Sequence, residues 1–180
     1  MNGFLFVLLC GEFILGVDAG ITNPALYSSS GVNLASYRFG LSAAKTFGNT
    51  GLLLSGAYAL GSYLHRENEY SYYQKGTWQG LMADAAFVGL ARFGEEILLY
   101  GGMGPSYTRF SGWWKIGDYE ERFADNGLGI NMFFGITLAF QNNMGLSFFL
   151  RKKGICVNWS GRAFVSPLEM GMGLNLFLGR

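Results

Sequence analysis

Charge is scarce in this chain. Lys, Arg, Asp and Glu supply only 14% of its 180 residues, against about 25% in ordinary soluble domains. The 13 bases and 12 acids nearly cancel, leaving a formal net charge of +1. That balance excludes the basic footprint of a nucleic-acid binder. There are two cysteines, Cys10 and Cys156, and one histidine, His65. With no CxxC and no Cys/His cluster, neither a disulfide framework nor a metal centre is expected, and no cofactor is implied. Uninterrupted apolar runs are also missing. A membrane helix needs about 18 or more consecutive apolar residues, and beyond the N-terminus no segment comes near that.

Hydrophobic residues nevertheless make up 50% of the chain, aromatics 17%, and 28 residues are glycine. These apolar residues alternate. Leu128, Ile130, Met132, Phe134, Ile136, Leu138 and Phe140 are separated by Gly129, Asn131, Phe133, Gly135, Thr137 and Ala139. Leu168, Met170, Met172, Leu174, Leu176 and Leu178 enclose Glu169, Gly171, Gly173, Asn175 and Phe177. A period of two means strand, with one greasy face and one small or polar face. The greasy faces have the length of the roughly 9–11 residues that carry a tilted strand across a bilayer. The pattern predicts an all-β fold, an eight-stranded antiparallel up-and-down transmembrane barrel.

Eight strands are expected, at about Glu12–Ile21, Ala35–Phe47, Leu52–His65, Thr77–Phe93, Ile97–Arg109, Leu128–Phe140, Met144–Ile155 and Leu168–Leu178. Tight connections fall at 48–51, 94–96 and 141–143, where Gly and Asn supply the positive φ of hairpin turns. Long connections fall at Thr22–Leu34, Arg66–Gly76, Phe110–Gly127 and Cys156–Pro167. Short turns on one rim and long loops on the other are an outer-membrane pattern. An even strand count puts both termini on the short-turn side, expected to be periplasmic, with the long loops extracellular. Phe4–Cys10 is a short apolar run, so residues 1–11 read as a possible signal or targeting remnant and 12–180 as the barrel.

The alternation turns Glu12, Asp18, Arg38, Asp84, Arg92, Arg151, Lys153 and Glu169 inward. Both signs occur, as a self-neutralising lumen network requires, because lone charges in a narrow lumen are costly. Asp84 with Arg38, and Glu169 with Arg151, are pairs this topology can bring together. In the long loops, Tyr72, Tyr73, Trp113 and Trp114 lie among charged residues and are candidates for interaction or for anchoring at the headgroup level.

This arrangement over residues 12–180 resembles the small eight-stranded outer-membrane barrels of the OmpA transmembrane domain, OmpX and OmpW type. The resemblance implies a bacterial outer-membrane protein with outer-membrane lipids and the outer-membrane assembly machinery as partners. It implies a structural barrel or a narrow conduit for small solutes, hydrophobic ones included. The alternative is a surface adhesion protein that meets a host or surface ligand through its loops. A more remote alternative is a lipid-modifying enzyme, as some small barrels are. His65 has no adjacent serine, and no catalytic set is assigned.

Overall fold

The computed structural model describes residues 11–23, 31–33, 36–66, 73–116, 118–140, 143–157, 163–165 and 168–178. The possible targeting segment before residue 11 lies outside them. Among the described residues there are ten strands: β1 Phe13–Asn23, β2 Gly31–Asn33, β3 Ser36–Phe47, β4 Thr50–Arg66, β5 Tyr73–Phe93, β6 Ile97–Ile116, β7 Tyr119–Ala139, β8 Met144–Val157, β9 Ala163–Val165 and β10 Leu168–Leu178. The eight long strands pair with their neighbours in antiparallel fashion, and β10 pairs with both β1 and β8. That last contact closes the sheet, so no long edge is left to meet lipid. The two three-residue strands, β2 and β9, fall inside segments expected to be loops and pair with β4 and β8.

Turn chemistry sets one rim. Gly48, Gly94 and Asn143 have φ of 63°, 66° and 60°, one in each short connection. These left-handed positions favour Gly and Asn. Phe13 lies opposite Leu178, so the described chain ends meet on this same rim. At the other rim the strands run further than the hydrophobic alternation indicates. Hydrophobic alternation predicts a loop over residues 110–127, but β6 runs to Ile116 and β7 starts at Tyr119. Likewise β5 starts at Tyr73. Trp113 and Trp114 therefore sit in β6, opposite Arg122 and Glu121. The physical reason is that ladder hydrogen bonds continue in water. Past Arg109 the outward positions become Ser111, Trp113 and Lys115, so the pleat persists after its hydrophobic signal fades.

The pleat sorts the side chains. Leu41, Leu54, Phe87, Leu128 and Leu174 face out, with Phe87 75% exposed. Arg38, Lys153 and Glu169 on alternate positions face in and are wholly buried. Apolar outside and polar inside is the polarity of a barrel solvated by lipid. Fit inside is tight. At Gly135 any Cβ would collide with the Tyr100 ring, so glycine is required there for the ring to enter the lumen.

The facing assignment has a direct energetic consequence. Leu174 lies near the middle of β10 and faces out. Leu174→Arg is expected to lower unfolding free energy in lipid by about 2–4 kcal/mol, the midplane cost for an arginine. Ala124→Arg, also outward but above the apolar band on β7, is expected to cost under about 1 kcal/mol. Urea unfolding in vesicles checks both. Equal costs would place both positions at the same depth and contradict the assignment.

Candidate functional site

The lumen is built in layers. Toward the long-strand end, Trp78, Met82, Ala57 and Ala59 form a buried apolar cluster, with Trp78 and Phe110 both packed beside Gly80. Toward the short-turn end, Ala86, Val88 and Phe133 form a second cluster, against which Leu53, Leu90 and Tyr100 pack. Between the two lies the charge network.

Asp84 is its hub. One carboxylate oxygen accepts from Ser106 Oγ at 2.6 Å. The other accepts from Arg151 Nη1 at 2.9 Å and lies 3.0 Å from Lys153 Nζ, with Ser55 Oγ at 3.4 Å. Glu169 is a second centre. It lies 3.0 Å from Arg38 Nε, 3.7 Å from Lys153 Nζ and 3.9 Å from Arg151 Nη1. Arg38 also pairs with Asp18. Three acids thus balance three bases, contributed by β1, β3, β5, β8 and β10. The strand register explains part of this, since Glu169 stands directly opposite Arg151. The remaining contacts cross the lumen.

Sequence periodicity nominated eight inward charges, and all eight are ion-paired. Six make up the network. The other two, Glu12 and Arg92, pair with each other, and Glu12 sits just before β1 at the short-turn rim. The pairing itself differs in one respect. Asp84 binds Arg151 and Lys153 rather than Arg38. Depth along the strand decides partners, and periodicity carries no depth.

Apolar groups complete the network. Phe149 lies near two guanidinium groups, with Arg38 Cζ at 5.2 Å and Arg151 Cζ at 5.8 Å from its ring centroid. Phe133 also meets Arg151, with Cζ 5.7 Å from its ring centroid. Such contacts add cation–π attraction where water is excluded. Lys153 Nζ also touches Met82 Sδ at 3.4 Å, which ties the network to the upper cluster. Trp78, Met82 and Phe133 are lumen fillers that charge-based reasoning misses. Their inward parity was the available signal. Below the network a cavity of about 80 Å³ is walled mainly by apolar groups such as Leu53, Val88 and Phe133, with Asp18, Arg151 and Asn175 among its polar lining.

Of the four aromatic candidates, Trp113 is half-buried on the outward face of β6. Trp114 and Tyr73 are described by backbone alone, and Tyr72 lies outside the described residues. His65 is placed on β4 opposite Gln74, again by backbone alone.

The comparisons with known proteins bear on the fold. No protein-family model matches the sequence, and no curated protein matches it. Solved structures do match. A major outer membrane protein from Thermus thermophilus shares 13% identity, with 94% of this chain and 100% of that one covered and a TM-score of 0.65. The outer membrane protein OprG from Pseudomonas aeruginosa shares 12%, covering 95% and 97%, with a TM-score of 0.62. Ail, the attachment invasion locus protein of Yersinia pestis, in complex with the heparin analogue sucrose octasulfate, shares 14%, covering 93% and 99%, with a TM-score of 0.58. The chain has the fold of the small outer-membrane β-barrels. At these identities the likeness concerns fold alone.

Removing one member of the network strands the others. Asp84→Asn leaves Lys153 and Arg151 without their nearest carboxylate and is expected to destabilise the barrel by about 3–5 kcal/mol. Glu120→Gln, whose side chain is about half exposed, is expected to change stability by under about 1 kcal/mol. The double change Asp84→Asn with Lys153→Met should cost less than the sum of its parts, because the pair is coupled. Equilibrium unfolding of the four proteins in one detergent decides it. Strict additivity would mean that the two groups do not interact.

Proposed function

We propose that this chain is a bacterial outer-membrane barrel closed to solutes, a non-enzymatic scaffold whose working surface is the sheet it holds above the membrane. The observation that carries this reading is the filled lumen. An eight-stranded barrel leaves an interior just wide enough for side chains or one small ligand. Here Trp78 and Met82 occupy it above and Phe133 below, with a compensated charge network between. The 80 Å³ cavity has room for a few ordered waters, which is far less than the several hundred Å³ of a small-molecule site. A passage would need several of these side chains to move together, and opening the waist would break the buried ion pairs of Asp84.

The second support comes from the strands. β6 and β7 stay paired from Arg109–Asn126 out to Ile116–Tyr119, a stiff hairpin carrying Trp113, Lys115, Glu120 and Arg122. Rigid presentation of aromatic and charged groups suits recognition, because little ordering entropy remains to be lost. Ail, with the same fold, is an attachment protein that has been seen with a sulfated sugar analogue. In this reading the short turns and chain ends are periplasmic, and the hairpin stands outside the cell. Lipids of the outer membrane and its assembly machinery are the constant partners, with a host or surface ligand met by the hairpin.

Conduction and adhesion separate this reading from the conduit. Refolded protein in a planar bilayer is expected to show no unitary current steps, with or without small hydrophobic solutes. Cells displaying the chain are expected to adhere to host-cell surfaces. Those displaying a variant with residues 111–124 replaced by a two-residue Asn-Gly turn are expected to lose that adhesion. Regular current steps together with unchanged adhesion would make the protein a conduit.

A further inference from the structure

On the outer wall of the barrel, one stretch among the described residues carries an organised set of polar side chains. On β4 to β7 the outward positions change character above Leu81. The next row along the hydrogen-bonding direction runs Leu60, Gln79, Ser111, Ala124, and the row above it Ser62, Thr77, Trp113, Arg122. These side chains point away from the lumen, yet they are organised. Tyr58 Oη donates to Gln79 Oε1 at 2.7 Å, and Gln79 Nε2 donates to Ser111 Oγ at 3.3 Å. A primary amide has two donors and two acceptor sites. Gln79 uses one of each across three strands and keeps one of each for a ligand.

Over this chain lies a groove of about 780 Å³. Tyr37 and Tyr58 stand on one side of it, and Trp113, Glu120 and Arg122 on the other. Tyr37, 52% exposed, lines the groove. Glu120 and Arg122 meet only at 3.9 Å, and the Arg122 side chain is 86% exposed. The exposed pair is held loosely and has hydrogen-bonding capacity to spare.

From this geometry we propose that the groove on the outside of β4 to β7 is a binding site for the sugar headgroup of an outer-leaflet glycolipid. Three features select that ligand. Aromatic walls match the C–H faces of a pyranose ring, which are apolar while its edges are polar. An oriented amide, a hydroxyl, a carboxylate and a guanidinium match those edges, and Arg122 also suits a phosphate carried on the sugar. The third feature is position. The groove opens sideways on the outward face, directly above the apolar band that ends at Leu81 and Tyr107. A headgroup in it would have its acyl chains running down that band. A soluble glycan gains nothing from that placement. The proposal rests on the orientation proposed above, with the hairpin outside the cell, but not on whether the lumen conducts, because the groove lies on the opposite face of the wall.

The test uses the folded protein in phosphatidylcholine nanodiscs containing a few mole per cent of a glucosamine-disaccharide glycolipid, with retained lipid counted by native mass spectrometry. Gln79→Leu and Trp113→Ala are each expected to lower retention about tenfold, the loss of roughly one good contact. Lys152→Ala removes an outward cation on β8, outside the groove, and is expected to leave retention within about twofold. Ser111→Ala, which is sterically mild, serves should Gln79→Leu fail to fold, with circular dichroism checking every variant. Wild-type retention in the groove variants would overturn the proposal. So would an equal loss in Lys152→Ala, which would mean general charge attraction. Binding of the lipid-free disaccharide as tight as that of the glycolipid would overturn the leaflet as the source.

Discussion

A sheet inside a bilayer has no water to satisfy its edges, and everything else in this molecule follows from that constraint. Closure of β10 on β1 meets it. Closure with eight long strands then fixes the width of the lumen, and the width decides what can fill it. Side chains entering from opposite walls come within contact distance, so the inward residues must suit one another as well as their own strands. A single uncompensated charge would be costly there. The arrangement around Asp84 and Glu169 meets that demand with three bases for three acids, and serine hydroxyls complete the coordination of Asp84. Such pairs add little net stability compared with an apolar filling of the same shape. What they supply is a penalty on any displacement, since each group depends on the next. The energetics therefore favour one fixed register of the strands.

The layers above and below the network act with it. Phe149 and Phe133 offer their rings to Arg38 and Arg151. Met82 belongs to the upper apolar cluster and also touches Lys153. A change in either layer would be felt by the charges. The outside of the barrel follows a different rule. There the side chains answer to depth in the membrane, apolar across the band and then aromatic and polar as the strands leave it.

Much of this was legible in the sequence, for a definite reason. A two-residue period converts parity directly into facing, so Arg38, Asp84, Arg151, Lys153 and Glu169 could be set inward with no structural information. Gly48, Gly94 and Asn143 marked the short turns because backbone sterics restrict those positions. Strand ends on the far side were not legible. Hydrophobic alternation reports burial against lipid, and it fades where β6 and β7 rise into water although the hydrogen-bond ladder does not. Nor was the pairing legible. Whether Asp84 meets Arg38 or Lys153 depends on shear, which couples depth on one strand to depth on another. The outward chain from Tyr58 through Gln79 to Ser111 had a faint trace, since Gln79 shares parity with Leu81. Its cross-strand hydrogen bonds arise only from the register.

The central claim is that ion pairs rather than water fill the waist of the barrel. Solid-state NMR of uniformly labelled protein in lipid tests it most directly. The account predicts a strong through-space correlation between Lys153 Nζ and the Asp84 carboxyl carbon, as a contact of 3.0 Å requires, and slow exchange of the Lys153 ammonium with water. A Lys153 ammonium that exchanges rapidly with water and shows no correlation to Asp84 would contradict it.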